Sequence, residues 1–222
     1  GIHNKDGVFA DYVTLPVVNL LEVPATVADE EAVFTEPLAA ALRIREQIAV
    51  RPTARTAVVG PGRLGLLVAQ VLALAGTEVV VLGRRAESLA LPRQLGLPTG
   101  LVDAAADNAY DLVVEATGND AGFAHSLRLV RPRGTLVLKS TFAGRANIDL
   151  TKLVVGEITV VGSRCGPFAP ALRLLEQGAV GAQIAVRPLI EAEYPLSEGL
   201  AAFEHAARPG ARKVLLRPGG PR

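Results

Sequence analysis

The sequence predicts an α/β protein built on a doubly wound parallel sheet of six strands, and two features of its 222 residues predict this. From residue 53 onward, short runs rich in β-branched residues alternate with longer amphipathic stretches, which is the pattern of strands joined by crossover helices. The first such run, Thr56–Val59, leads directly into three glycines and then into residues with the apolar spacing of a helix. A chain of this length can also bury a substantial core.

The elements of this central sheet follow one another regularly. The short runs predict strands at Thr56–Val59, Glu78–Leu82, Thr99–Val102, Asp111–Glu115, Gly134–Leu138 and Ile158–Val161. The stretches between them predict helices at Arg63–Ala75, Ala86–Leu95, Ala121–Val130 and Leu150–Val155. Right-handed crossovers between successive strands then place helices on both faces of the sheet.

The segments before and after the central sheet do not show this alternation of strands and helices. Residues 8–23 predict two strands broken at Pro16, and residues 29–49 predict a helix interrupted by Pro37. After Arg164, the predicted elements are a helix at Ala169–Gln177, a strand at Leu189–Tyr194, a helix at Leu196–Ala207 and a strand at Lys213–Arg217. We therefore expect three units: part of a second lobe at residues 1–50, a central domain at residues 51–163, and a return segment to that lobe at residues 164–222.

Charge and composition exclude several classes of partner. The 23 basic residues are balanced by 22 acidic ones and form no basic block, so nucleic acid is not an expected partner. The longest uncharged run, between Arg63 and Glu78, is shorter than the ~20 residues that a bilayer-spanning helix needs, so no membrane partner is expected. The single cysteine cannot form an internal disulfide, which favours a reducing, cytoplasmic location.

The glycines after the first strand predict a dinucleotide-binding turn of the Rossmann type. Gly60, Gly62 and Gly65 have the spacing G-x-G-x-x-G between a predicted strand and a predicted helix. In this context the first glycine permits a tight turn, the second lets the backbone approach a pyrophosphate, and the third lets the helix pack on the sheet. The backbone N–H groups at the helix start, including those of Arg63 and Leu64, favour an anion there. The alternative is a loop whose glycines serve packing only.

The end of the second strand predicts that the dinucleotide is NADP(H). An NAD site needs a carboxylate here to bind the adenosine ribose. This chain has Gly83, Arg84 and Arg85 instead, which remove that acid and offer two guanidinium groups to a 2′-phosphate. The alternatives are NAD, or arginines that merely occupy an exposed turn. The missing acid also argues against a class I methyltransferase, whose nucleoside needs one at the same place.

The ends of the later strands predict the walls around the nicotinamide, because open α/β sheets bind ligands outside the carboxyl ends of their strands. The residues at these ends are Ala116, Thr117, Gly118, Lys139, Ser140, Ser163 and Arg164. Lys139 has an equally good interpretation as a surface lysine at a strand end. Cys165 is expected to be a small packed residue, since no histidine lies near it in the sequence.

Zinc ligands are not expected among these residues. A catalytic zinc site uses three protein ligands of Cys, His or carboxylate type. Here the histidines His3, His125 and His205 are scattered, Cys165 is alone, and neither C-x-x-C nor H-E-x-x-H occurs.

The order and spacing of several segments resemble the medium-chain dehydrogenase/reductases of the zinc-type alcohol dehydrogenase kind. The segments are DGVFADYVTLP, EEAVFTEPLAAAL, AVVGPGRLGLLVAQ, DLVVEATGN, LVRPRGTLVLKS, EITVVGSRCG and ARKVLLRP, and together they span essentially the whole chain. The "EPL" at Glu36–Leu38 is most similar to the branch that contains sorbitol, threonine and glucose dehydrogenases.

This resemblance implies hydride transfer between NADP and a small alcohol or carbonyl compound, with zinc as a Lewis acid in the full-length enzyme. It also implies that the catalytic zinc ligands lie upstream of Gly1, in a β-rich, GroES-like catalytic lobe of which residues 1–50 would be only the end. Glu36 is the one residue that the resemblance places beside the metal, and its alternative role is to cap the helix that Pro37 opens. A homodimer formed through the strand Ile158–Val161 is implied as well.

The leading hypothesis is therefore the cofactor-binding body of an NADP-dependent alcohol or polyol dehydrogenase, inactive by itself. Two alternatives stay open. The chain could be a protein that binds NADP without catalysis, or a zinc-independent quinone or enoyl reductase of the same superfamily, although "EPL" and "GSRC" argue against the latter. A cysteine and a Gly-His-Glu segment encoded ahead of Gly1 would eliminate the non-catalytic alternative.

Overall fold

The structure, a computed structural model, describes residue 4 and residues 6–141, 148–181 and 184–219. Its strands are β1 (Arg55–Val59), β2 (Glu78–Gly83), β3 (Thr99–Leu101), β4 (Tyr110–Glu115), β5 (Val130–Leu138), β6 (Thr159–Gly162), β7 (Ile190–Pro195) and β8 (Lys213–Arg217). Its α-helices are α1 (Asp29–Ala32), α2 (Thr35–Gln47), α3 (Arg63–Ala73), α4 (Ala90–Gln94), α5 (Asp120–Leu129), α6 (Leu150–Val155), α7 (Phe168–Gly181) and α8 (Gly199–Ala206).

The first six strands form one sheet in which all neighbours are parallel, which confirms the predicted fold class. The strand order is β3-β2-β1-β4-β5-β6, the order of a Rossmann sheet. Val59 at the end of β1 is paired with Leu82 on one side and with Glu115 on the other. The carboxyl ends of β1, β2 and β4 therefore lie together where the chain reverses its progress across the sheet, and such a reversal is where open α/β sheets bind ligands.

Both faces of the sheet are covered by apolar layers because successive residues of a strand point to opposite faces. On one face, Val58 packs in a cluster with residues of α2, α3 and α7, among them Leu38 and Leu67. On the other face, Ala57 and Val59 pack with the α5 residue Phe123. β1 is therefore buried on both faces, at the centre of the sheet. Because α3 begins shortly after β1 ends, the start of α3 lies at the carboxyl edge of the sheet.

Residues 8–23 form no strand, so the prediction of two strands there was wrong. They run as an exposed segment with a single 3-10 turn at Val17–Asn19, and none of the described strands pairs with them. An isolated strand leaves its backbone hydrogen-bonding groups without partners and is not stable in water. The β-branched residues in this segment suit a strand, but a strand also requires a neighbour.

Pro37 does not interrupt a helix, which corrects the prediction for residues 29–49. The break lies earlier, between the end of α1 at Ala32 and the start of α2 at Thr35. Pro37 occupies the first turn of α2, where backbone N–H groups have no intrahelical partner and a proline costs nothing.

Smaller differences concern the ends of elements. The helix predicted at Ala86–Leu95 begins with a 3-10 turn at Ala86–Leu89, and the one predicted at Leu196–Ala207 begins with a 3-10 turn at Leu196–Glu198. The strand predicted from Gly134 begins at Val130, directly after α5.

The C-terminal part adds a second, two-stranded sheet. β7 and β8 pair in parallel, with Tyr194 opposite Leu216, and α8 packs against both strands. Before it, α7 packs against α2 in the same apolar layer as α3. In the part of the chain that the structure describes, no helix combines the length and apolarity needed to cross a bilayer, and the longest, α7, has 14 residues.

Candidate functional site

A cleft of about 1540 Å³ runs along the carboxyl edge of the six-stranded sheet. The structure brings most of the predicted cofactor contacts together in its lining, namely Gly60, Gly62, Arg63, Leu64, Gly83, Arg84, Arg85, Ala116, Thr117, Lys139, Ser140, Ser163 and Arg164. Two predicted residues, Gly65 and Gly118, do not line the cleft and instead support the turns behind it.

The three glycines of the β1–α3 turn have different roles. Gly60 has a φ of +111°, and a Cβ there would lie 2.7 Å from the carbonyl oxygen of Ala116. A Cβ on Gly65 would lie 2.0 Å from the carbonyl oxygen of Gly60. By contrast, a Cβ on Gly62 would meet no protein atom within 4 Å. Gly60 and Gly65 are therefore required for the turn itself, whereas Gly62 leaves its side of the backbone open to the cleft.

The start of α3 provides donors at this opening. Gly62 is the N-cap of α3 and no side chain caps the helix, so the first N–H groups of α3 have no partner within the helix. The positive end of the helix dipole adds to the potential at the same place. This combination favours a phosphate group beside Gly62.

At Gly83, the last residue of β2, neighbouring atoms leave no room for a side chain such as a carboxylate. A Cβ on Gly83 would lie 2.8 Å from Ser88 Oγ and 2.9 Å from Leu89 Cδ2. The next two residues, Arg84 and Arg85, are exposed and line the cleft. This end of the cleft therefore presents two guanidinium groups and no acid from the strand end.

The loop after β4 is held by a buried carboxylate, Glu115, whose role in the turn was not predicted by sequence analysis. Glu115 is only 1% exposed, and its Oε1 accepts hydrogen bonds from the Thr117 N–H (2.6 Å), the Thr117 Oγ1 hydroxyl (2.6 Å) and the Gly118 N–H (3.1 Å). Gly118 itself has a φ of +74°, which few other residues adopt. Glu115 therefore fixes the turn that presents Ala116 and Thr117 to the cleft.

Lys139, at the end of β5, is buried, so its interpretation as a surface lysine was wrong. Its side chain reaches the two residues directly after β6, where the ammonium donates to Ser163 Oγ (3.1 Å) and to the Arg164 carbonyl oxygen (2.5 Å). Burial lowers the pKa of Lys139 to about 8, partly opposed by the charges of Cys165 and Glu36.

Lys213 also lines the cleft, and sequence analysis missed it. It begins β8, and its ammonium lies 5.7 Å from the centre of the Phe34 ring. Burial and then the charge of Arg63 lower the pKa of Lys213, while Glu36 acts in the opposite direction. No local sequence signal marks this lysine, because only the folded chain brings β8 close to the β1–α3 turn.

The structure places Glu36 and Cys165 side by side, but they have too few further ligands nearby to bind a metal ion. The Cys165 Sγ lies 3.9 Å from Glu36 Oε1, and Cys165 is exposed, which corrects the expectation that it is packed. Among the described residues, no group of three or more His, Cys, Asp or Glu side chains could bind a metal ion. A zinc site needs at least three protein ligands, so these residues do not fit one.

One of the scattered histidines, His3, lies outside the described part of the chain, and so does Gly1, upstream of which the catalytic ligands are expected. The expectation that those ligands precede Gly1 therefore stays a prediction, and the catalytic residues are not assigned within this chain.

Comparison with known proteins gives one family. Residues 64–177 match the family described as zinc-binding dehydrogenase. A sorbitol dehydrogenase of Halalkalibacterium halodurans is 31% identical over 97% of this chain. An L-threonine 3-dehydrogenase of Bacillus subtilis is 28% identical over 96% of the chain. A crystal structure from Sinorhizobium meliloti, described as a zinc-binding dehydrogenase bound to NADP, superposes on 96% of the chain with a TM-score of 0.83 and 27% identity.

The chain spans about two thirds of the length of these relatives. It covers 67% of the sorbitol dehydrogenase, 65% of the threonine dehydrogenase and 67% of the Sinorhizobium protein. The similarity thus includes the whole cleft described above, and the relatives have further residues that this sequence does not contain.

Proposed function

This chain belongs to the zinc-binding dehydrogenase family. From that premise we propose that it binds NADP(H) as the cofactor-binding part of an oxidoreductase. The reaction moves a hydride between the nicotinamide and the carbon of a small alcohol or carbonyl compound, polyhydroxy alcohols included. The observation that carries the proposal is the geometry at the ends of β1 and β2. There a glycine turn open at Gly62 lies beside a packed glycine and two exposed arginines.

The residues present fit a dinucleotide with a 2′-phosphate. The α3 N-terminus and the open side of Gly62 suit the pyrophosphate, with the Lys213 ammonium on the same side of the cleft. Arg84 and Arg85 suit the 2′-phosphate, since guanidinium groups bind phosphates through paired N–H donors. The NADP bound to the Sinorhizobium relative supports this choice over NAD.

When bound, NADP(H) supplies or accepts the hydride. The residues of this chain would bind and orient it. Thr117, Ser140 and Ser163 line the part of the cleft at the ends of β4, β5 and β6. Glu115 and Lys139 each fix one of the loops that form this wall, through the hydrogen bonds given above.

We further propose that the catalytic zinc ligands precede Gly1 in the complete natural protein, and that this chain alone has no dehydrogenase activity. The pair of Glu36 and Cys165 supports this, because two side chains do not complete a zinc site. Metal analysis of the complete natural protein tests it. Bound zinc together with activity would support the proposal, activity without metal would favour a quinone or enoyl reductase, and NADPH binding without turnover would favour a non-catalytic protein.

Two remaining expectations also stand as proposals. A homodimer would form through the exposed edge of β6, which is the last strand of the sheet. The cytoplasmic location rests on the single cysteine alone.

The central test is titration of the purified protein with NADPH and NADH, together with Arg84→Ala and Arg85→Ala. A hydrogen bond to a charged group contributes about 1.5–3 kcal/mol, so each substitution should weaken NADPH binding about tenfold to hundredfold. NADH binding should change little, because NADH has no 2′-phosphate. Arg173→Ala, on the exposed side of α7 and outside the cleft, is the matched control. Equal affinity of the unchanged protein for the two cofactors would contradict the choice of NADP(H).

A further inference from the structure

We propose that the positive charge of Lys139 makes the cleft bind the reduced cofactor, NADPH, more tightly than the oxidised cofactor, NADP⁺. The inference rests on the proposed function, because it concerns the two redox forms of the same dinucleotide. It assigns to Lys139 a role in discriminating between them.

The position of Lys139 places its charge at the nicotinamide half of the cleft. The doubly wound sheet consists of two mononucleotide-binding halves. Because Arg84 and Arg85 lie at the end of β2, the adenosine half of the ligand belongs to the side of β1, β2 and β3. The nicotinamide half then belongs to the ends of β4, β5 and β6, where Lys139 follows β5.

The side chain of Lys139 is buried and held in place by two hydrogen bonds to the segment after β6. The residue is 7% exposed, and its ammonium donates to Ser163 Oγ and to the Arg164 carbonyl oxygen. Both acceptors are neutral. The charge is therefore fixed at the wall of the cleft by groups that do not cancel it.

No carboxylate neutralises Lys139 directly. Among the described residues, no ion pair within 4.0 Å includes it. The charged or titratable groups that act on its pKa are Cys165 after β6 and Glu36 and Arg43 on α2. With a pKa of about 8, Lys139 keeps most of its charge at neutral pH.

The two redox forms differ by one charge, which lies on the nicotinamide ring and so in the half of the cleft assigned to Lys139. The nicotinamide ring of NADP⁺ carries a positive charge, whereas that of NADPH is neutral, and the phosphates are the same in both. A fixed cation repels a cation and leaves a neutral ring unaffected. At an effective dielectric constant of about 20, two charges separated by roughly 10 Å change a binding constant about tenfold.

The experiment measures the dissociation constants of NADP⁺ and NADPH for the purified protein and for Lys139→Met, which keeps most of the length of the side chain and removes its charge. The ratio of the NADP⁺ constant to the NADPH constant should fall about tenfold in the variant. A merely structural role for Lys139 would weaken both forms equally and leave the ratio unchanged, which would overturn the inference.

Two control variants separate charge from packing. Ser163→Ala removes one acceptor of the ammonium but keeps the charge, so the ratio should persist. Lys213→Met removes another cation of the same cleft, and it should weaken both cofactors alike, since the phosphates near the α3 N-terminus are common to both. A change of the ratio in Lys213→Met equal to that in Lys139→Met would also overturn the inference.

A pH series tests the same charge without a substitution, and so it remains decisive if Lys139→Met does not fold. Raising the pH from about 6.5 to about 9.5 passes the pKa of about 8 and removes the charge of Lys139. The ratio should therefore fall with rising pH in the unchanged protein. A ratio that stays constant would contradict the inference, whereas failure of NADPH to bind at any pH would contradict the proposed function itself.

Discussion

At the scale of single residues, alanine substitutions at two glycines of the cleft should have opposite effects on stability and on cofactor binding. Gly83→Ala should lower the free energy of unfolding by about 1–3 kcal/mol, because the new Cβ would lie within 3 Å of Ser88 Oγ and Leu89 Cδ2. NADPH binding should suffer only through this loss of packing. Thermal unfolding and cofactor titration of the same sample measure both quantities.

Gly62→Ala is the matched variant, and it should behave in the reverse way. Its Cβ would meet no protein atom within 4 Å, so the unfolding temperature should hardly change. The methyl group would, however, stand where the pyrophosphate approaches the backbone, so NADPH binding should weaken strongly. Strong NADPH binding by Gly62→Ala would show that the phosphates do not lie beside this glycine.

At the scale of elements, a carboxylate joins α8, β7 and the segment before β8. Glu191 Oε1 lies 2.9 Å from His205 Nε2, and Glu191 Oε2 accepts from the Arg212 N–H at 2.7 Å. The second ring nitrogen of His205 lies 3.0 Å from the Tyr194 hydroxyl. The Arg212 N–H and then His205 lower the pKa of Glu191 from 4.5 to about 2. The ionised carboxylate therefore stabilises the chain just before Lys213.

This lowered pKa predicts how acid affects the C-terminal unit. Because the pKa is lower in the folded than in the unfolded chain, the stabilisation by Glu191 is complete above about pH 4.5 and is lost as the pH falls towards 2. Glu191→Gln should lower the unfolding temperature at about pH 6, and the difference from the unchanged protein should shrink at about pH 3. Amide exchange of Arg212 should be faster in the variant at the higher pH. A difference independent of pH would contradict this role of the carboxylate.

The elements also show what the sequence could predict. The six parallel strands and the β1–α3 turn were predicted because each has a strong local pattern, and Gly60, Gly62 and Gly65 repeat a spacing that phosphate binding requires. Residues 8–23 were wrongly predicted as strands because pairing depends on a neighbour that a local pattern does not contain. Lys213 was missed for a similar reason, because only the folded chain brings it to the cleft. The partners of Glu115, Thr117 and Gly118, are close in sequence, but the turn geometry that joins them is not visible in the sequence pattern.

At the scale of the whole molecule, one helix from each flanking segment contributes to the core of the six-stranded sheet. α2, from the first predicted unit, and α7, from the third, both pack in the apolar layer that covers α3. The division into units at residues 50 and 163 remains a prediction. We expect the six-stranded sheet and these two helices to unfold together, since they share one core.

The last prediction concerns the proposed homodimer, which would form at the exposed edge of the sheet. β6 ends the strand order, and beside it α6 exposes Val154 and Val155 to 76% and 78%. Pairing of β6 with its copy would satisfy the free edge and cover these side chains. The double variant Val154→Lys/Val155→Lys should therefore be monomeric by light scattering, with an unfolding temperature that no longer depends on protein concentration. Leu200→Lys, equally apolar and 84% exposed on α8, should remain dimeric, so dissociation of this control, or a persistent dimer in the double variant, would place the interface elsewhere.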